Sequence, residues 1–172
     1  LKMKNLAAEN TNTSLLTLNE LLEAVCGSVV GNFDSSLFSF KSVVTDSRSV
    51  VPSSLFVPLT GEFQDGHKYI PQALEKGASV VFVARCAFEK SSEEFKKLAE
   101  NNPKTAFILV ENTLYALQKA AGRYVEKFPD LIRVSVTGSS GKTTTKEIAA
   151  SVLSEKYNVV CNKGNESISQ KL

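Results

Sequence analysis

The stretch VSVTGSSGKTTTKE, residues 134–147, places an apolar segment, a Gly/Ser turn and a helix-forming run in immediate succession. Its Gly-Lys-Thr is the end of a phosphate-binding loop, whose usual spacing is G-x-x-x-x-G-K-[ST]. Counting back from Gly141 and Lys142, the opening glycine belongs at position 136, where this chain has Val136. The pattern is therefore a variant, T-G-S-S-G-K-T-T. Residues 131–136 read as a buried strand and residues 137–141 as a turn, with a helix expected from about Lys142. In that setting the backbone N–H groups of Gly138, Ser139, Ser140 and Gly141 line one concavity. The helix N-terminus adds roughly half a positive charge to it. Glycine at 138 and 141 lets the backbone approach a phosphate without a side-chain clash. Lys142 is the phosphate cation, and the Thr143 hydroxyl is placed to hold Mg²⁺. Thr144 supports the loop, and Glu147 reads as solvated surface. The competing reading is a Gly/Ser turn that only caps a helix. The full run, behind an apolar strand and ahead of a good helix, weighs against it.

Outward from this loop, apolar strands alternate with helices. Thr17 and Glu20 form a capping box that opens a helix bearing Leu18, Leu21, Leu22 and Val25, with Gly27 as its expected end. SFKSVVTDSR reads as a strand running into a turn, and SSLFVPLTG as a strand ending at Gly61. YIPQALEKGA is a short helix stopped by Gly77, and SVVFVA a buried strand. SSEEFKKLAENN is an amphipathic helix, TAFILVE a second buried strand and TLYALQKAAGRYVEKF a longer helix. After the loop, KTTTKEIAASVLSEKY is a helix and NVVC a strand. This alternation predicts an α/β fold with a largely parallel sheet. Pro129 ends the long helix, so the expected division is a flexible leader over 1–14, a mixed α/β domain over 15–128, and the first strand, loop and helix of a second domain over 129–172. A phosphate-loop sheet normally has more strands than that second piece supplies, so it is expected to be incomplete.

Composition narrows the function. The 172 residues carry a net charge of +2, which does not resemble a polybasic nucleic-acid surface. No apolar run approaches the ~18 residues of a membrane span, and the polar start LKMKNLAAENTNTS lacks the apolar centre of a signal peptide. Cys26, Cys86 and Cys161 are far apart and odd in number, which fits reduced thiols in a cytosolic protein. A monomer is expected.

A second cluster lies upstream. Ser47 and Arg48 stand at a strand end, where a hydroxyl and a guanidinium can meet a pyrophosphate or a uracil carbonyl. The loop from Thr60 to His67 holds Gly61, Asp65, Gly66 and the chain's single histidine. Its two glycines suggest unusual backbone angles. Turn capping competes as the role of Asp46 and Asp65, and a hydrogen-bonded turn residue as the role of His67. Nothing near His67 in sequence forms a nucleophile pair.

The shortened loop T-G-x-x-G-K-[TS]-[TS] resembles the ATP loop of the Mur ligase family and its folylpolyglutamate synthetase relatives. The segment TDSRSVVPSSLFVPLTGEFQDGHKYIPQALEKGASVVF is similar to the family's N-terminal domain, through Asp46, Ser47, Arg48, Pro52, Leu55, Phe56, Val57, Gly61, Asp65, Gly66, His67, Tyr69, Ile70, Ala73, Gly77 and Ala78. The resemblance covers about residues 15–165. It looks strongest to the branch that adds D-alanyl-D-alanine to UDP-N-acetylmuramoyl-tripeptide, with the branch adding the third amino acid as the alternative.

The resemblance implies ATP-dependent amide formation through an acyl phosphate, with ATP and Mg²⁺ required. It implies Lys142 as the catalytic cation, residues 138–144 as the ATP loop and Thr143 as a Mg²⁺ ligand. Ser47, Arg48, Thr60, Gly61, Asp65, Gly66 and His67 are the implied UDP-substrate contacts. Family members are longer, with the rest of a central domain and a third domain. Lys163, Gly164 and Asn165 begin like a family segment that then stops matching. The chain is thus expected to be truncated or joined from pieces of a longer protein, and inactive alone. Two other classes stay open. A small kinase or GTPase would need the glycine that Val136 replaces, and would leave the upstream motif unexplained. A module that binds a UDP-sugar peptide without turnover would need only that motif.

Overall fold

The computed structural model describes residues 14–61 and 64–162. The expected leader therefore lies almost wholly outside the described residues, as do Lys163, Gly164 and Asn165. The chain divides into two compact units, Leu1–Pro129 and Asp130–Leu172.

The first unit is built on a five-stranded sheet in the order β1-β5-β4-β3-β2. The strands are β1 (Ser28–Val29), β2 (Ser42–Val44), β3 (Ser54–Phe56), β4 (Ala78–Ala84) and β5 (Ala106–Val110). Strands β2 to β5 run parallel, with Val80 opposite Ala106 and Ala84 opposite Val110 in the long central pair. Strand β1 joins β5 antiparallel.

Helices cover both faces, which is why β4 is apolar without a break from Val80 to Ala84. Val80 and Phe82 pack on one side with Leu21 and Val25 of α1 (Leu18–Val25) and with Ala116 and Ala120 of α5 (Thr113–Val125). Val81 and Val83 alternate to the other side. There they meet Ile70 and Ala73 of α2 (Ile70–Glu75), Ala87 of α3 (Arg85–Lys90), and Phe95 and Ala99 of α4 (Ser92–Asn101). This two-residue alternation on a two-sided core fixes the register.

Several boundaries differ from the sequence reading. The capping box of α1 is formed, with Thr17 and Glu20 each accepting the other's backbone N–H. The left-handed residue that ends α1 is Cys26 at φ 50°, not Gly27. Gly27 serves close approach instead, since a Cβ there would lie 2.9 Å from both Ile108 Cγ2 and Leu109 O. Strand β3 stops at Phe56, well short of Gly61. Pro58 has no N–H to donate to a ladder. The sequence reading missed the two-residue β1, the 3-10 turn Ser35–Leu37 and α3.

In the second unit α6 runs Lys142–Ser154 and begins where the sequence places it. Residues 131–136 and 158–161, both expected as strands, form none. Ile132 and Val134 are 74% and 65% exposed, which corrects the expectation of a buried strand. An extended segment becomes a strand only through ladder hydrogen bonds to a neighbour, and the described residues of this unit contain no strand to pair with.

Candidate functional site

The two expected sites fall in different units. In the second unit the chain turns through Gly138 at φ 152° and Gly141 at φ 75°, both in the region that favours glycine. A Cβ on Gly141 would meet nothing within 4 Å, so conformation, not space, selects glycine there. Gly141 is also the N-cap of α6, and no side chain caps the helix. Its carbonyl accepts from Thr145 N–H at 2.9 Å, which starts the helical ladder. The first-turn N–H groups of such a helix have no intrahelical acceptor and form a natural anion site. Lys142 folds back over the turn, its Nζ donating to Gly138 O at 2.5 Å. Ser139, Ser140 and Thr144 are exposed and Thr143 is half-buried. This donor set fits a polyphosphate: amides, one ammonium, hydroxyls, and no carboxylate among residues 137–145.

In the first unit the parallel strands β2 to β5 deliver their carboxyl ends to one edge, the usual ligand edge of such sheets. The turn after β2 begins with Asp46, whose carboxylate accepts from the Arg48 N–H at 2.9 Å. Arg48 also reaches back to Asp46, with Nε to Oδ1 at 3.0 Å and an amino group to Oδ2 at 2.7 Å. The guanidinium bond, followed by the Arg48 backbone N–H, brings the Asp46 carboxyl down to about 2. The Arg48 side chain is nonetheless 83% exposed. Ser47 faces inward and donates its hydroxyl to Gln72 Oε1 at 2.6 Å.

The turn after β3 folds on itself, with Thr60 bridged to Asp65. Gly61 N–H donates to Gln64 O and Gly66 N–H to Leu59 O. Neither glycine has the positive φ expected of it. Gly66 is needed for space, since a Cβ would lie 2.7 Å from Leu59 O and 2.8 Å from Leu59 N. Asp65 accepts from the His67 N–H at 3.0 Å and from the His67 ring at 2.5 Å. Partial burial works against its ionisation, but these bonds outweigh burial and hold its carboxyl below the usual range. His67 is buried.

Arg85 and Glu111, which follow β4 and β5, form an ion pair at 2.9 Å on the same edge. They, Gln72 and Ala84 belong to this edge and were not singled out in the sequence, because only the fold brings strand ends together. Asp46, Ser47, Arg48, Thr60, Gly61, Asp65, Gly66 and His67 all lie in the turns after β2 and β3. Among the described residues, no group of three or more His, Cys, Asp or Glu could hold a metal ion. Among the described residues, no helix is long and apolar enough to cross a membrane.

A family profile described as "Mur ligase family, catalytic domain" matches residues 39–125, half of the chain. The chain belongs to the Mur ligase family. A second profile, "Mur ligase middle domain", matches residues 136–171 and so contains the glycine turn and α6. Among curated relatives, the UDP-N-acetylmuramoyl-tripeptide–D-alanyl-D-alanine ligase of Treponema pallidum is 42% identical over 151 residues, covering 88% of this chain and 32% of the relative. The enzyme of the same name from Synechocystis is 39% identical over 156 residues, covering 91% of this chain and 31% of the relative. Mur ligase structures agree. MurF from Acinetobacter baumannii superposes with a TM-score of 0.69 at 28% identity, over 87% of this chain and 30% of that one. MurF ligase from Thermotoga maritima in complex with ADP gives 0.60 at 32% identity, over 76% of this chain and 27% of that one. The chain thus spans about a third of the length of the curated relatives it matches.

Proposed function

We propose that this chain carries the UDP-substrate region and the ATP phosphate loop of a cytoplasmic ligase that joins D-alanyl-D-alanine to UDP-N-acetylmuramoyl-tripeptide. The glycine turn at the uncapped start of α6, with Lys142 folded over it, is the observation that carries the reading. The names of the relatives and the ADP held by the Thermotoga maritima neighbour support it.

The reaction brings two anions together. The tripeptide carboxylate attacks the γ-phosphate of ATP, giving an acyl phosphate and ADP. The amine of D-alanyl-D-alanine then attacks the acyl carbon and expels phosphate, losing a proton. Residues 138–144 cradle the triphosphate through backbone N–H groups, and Lys142 exchanges Gly138 O for phosphate oxygen. A cation aimed at the transferring group stabilises charge in the transition state without reorganisation. Mg²⁺, held by phosphate oxygens and the Thr143 hydroxyl, would supply further positive charge there. At the other site Arg48 offers an exposed fork to the substrate's pyrophosphate or uracil, with Thr60, Gly61, Asp65 and Gly66 in the neighbouring turn.

Calorimetric titration tests this with UDP-N-acetylmuramoyl-tripeptide and, separately, Mg-ATP. Binding of the UDP compound, with ATP weaker, is expected. Tight GTP or ATP binding without any affinity for the UDP compound would point instead to another phosphate-loop enzyme.

A further inference from the structure

His67 is 7% exposed, and both of its ring nitrogens are engaged. Nε2 accepts from the Ala84 N–H at 3.0 Å. A ring nitrogen that accepts carries no proton, so in the neutral imidazole the proton sits on Nδ1. Nδ1 lies 2.5 Å from Asp65 Oδ1, which receives that proton's hydrogen bond. The same carboxylate oxygen accepts from the His67 backbone N–H at 3.0 Å and from Thr60 Oγ1 at 3.4 Å. The ring also meets Phe95 of α4 edge-on, with centroids 6.3 Å apart.

One imidazole therefore ties the turn after β3 to the last residue of β4. We infer that His67 is a positioning residue: in its Nδ1–H tautomer it holds Thr60, Gly61 and Asp65 at the carboxyl edge of the sheet, and it acts on substrate through that turn without touching it. The inference rests on the proposed reading of this edge as the UDP-substrate site. The chemistry explains the residue type. The position requires a donor toward Asp65 and an acceptor toward Ala84 on one rigid ring. Without the acceptor, the buried Ala84 N–H loses its partner, which is costly away from water. Without the donor, Asp65 keeps only weaker anchors. Burial keeps the ring from a ligand, and the exposed Asp65 edge of the turn does not.

Long-range proton–nitrogen spectra of the 172-residue chain give the tautomer directly, and a pyridine-type Nε2 is expected. Titration with UDP-N-acetylmuramoyl-tripeptide is then run on His67→Ala, His67→Gln and His67→Asn. His67→Ala should bind about tenfold or more weakly, as expected for losing the hydrogen bonds that order a binding turn. His67→Gln places an acceptor near the Nε2 position and should recover most of that loss. His67→Asn keeps only the donor toward Asp65 and should not. A protonated Nε2, wild-type affinity in His67→Ala, or His67→Gln no better than His67→Ala would each overturn the inference. Should the wild-type chain fail to bind the UDP compound, the substrate reading fails separately. Amide exchange then decides: acceleration in His67→Ala confined to Ala84 and the turn upholds the tether, and uniform acceleration across the first unit refutes it.

Discussion

Lys142 and Arg48 are the two cations whose surroundings most resemble waiting ligand sites, and both are exposed. Each is satisfied now by a partner that a phosphate can replace, Gly138 O for one and Asp46 for the other. In a ligase of the relatives' length carrying this sequence, Lys142→Ala should lower the rate of amide formation at least about a hundredfold, the scale of removing one fixed donor from a developing charge. Affinity for the UDP substrate should persist, and a steady-state assay beside a calorimetric titration separates the two effects. Arg48→Ala should weaken UDP-substrate binding by about 1.5–3 kcal/mol, the worth of charge-assisted hydrogen bonds. Its melting temperature should stay close to the parent's, because an ion pair this exposed contributes little to stability. A collapse of the melt with unchanged affinity would make Arg48 structural. Much of this site is legible in the chain itself. Gly-Lys-Thr after an apolar segment needs only local geometry, and Asp46 bonds to Arg48 two residues away. The inward turn of Ser47 toward Gln72, 25 residues on, is not legible, because that contact exists only once α2 packs beside the β2 turn.

At the scale of single elements, capping and close approach decide the boundaries. Glu20 closes the box that begins α1. The Thr17 backbone N–H and then Lys127, whose Nζ lies 3.0 Å from Oε2, bring its carboxyl from 4.5 down to about 2. A carboxyl lowered in the folded state stabilises above its unfolded value and loses that contribution as pH falls through the folded one. Glu20→Gln should therefore melt below the parent at pH 7, with the gap closing between about pH 4.5 and 2. Thermal melts across that range check it, and a gap of constant size would refute it. Gly66→Ala should cost about 1–3 kcal/mol, since its Cβ would press on the Leu59 backbone, which cannot rotate away. Chemical denaturation measures that loss. The reason for Gly66 was misread in the sequence, which marks a glycine but not whether it serves torsion or space.

For the whole molecule, the two-sided core of the first unit should make it fold as one body. Phe82→Ala, at a fully buried position of the central strand, should cost about 3–5 kcal/mol. A chain ending at Pro129 should still melt in one cooperative transition, with that cost intact. A broad, non-cooperative profile would show that the core depends on the second unit. The sequence by itself determined the apolar strands β4 and β5, the helices α1, α2, α4 and α5, the start of α6 and the glycine turn before it, since each rests on neighbours within a few residues. Only the tertiary structure decided that β1 pairs antiparallel with β5, that residues 131–136 stay unpaired, and that His67 turns inward to Ala84. Those outcomes depend on which distant backbone groups meet, and an unpaired N–H or C=O cannot be assigned its partner from the residue that carries it.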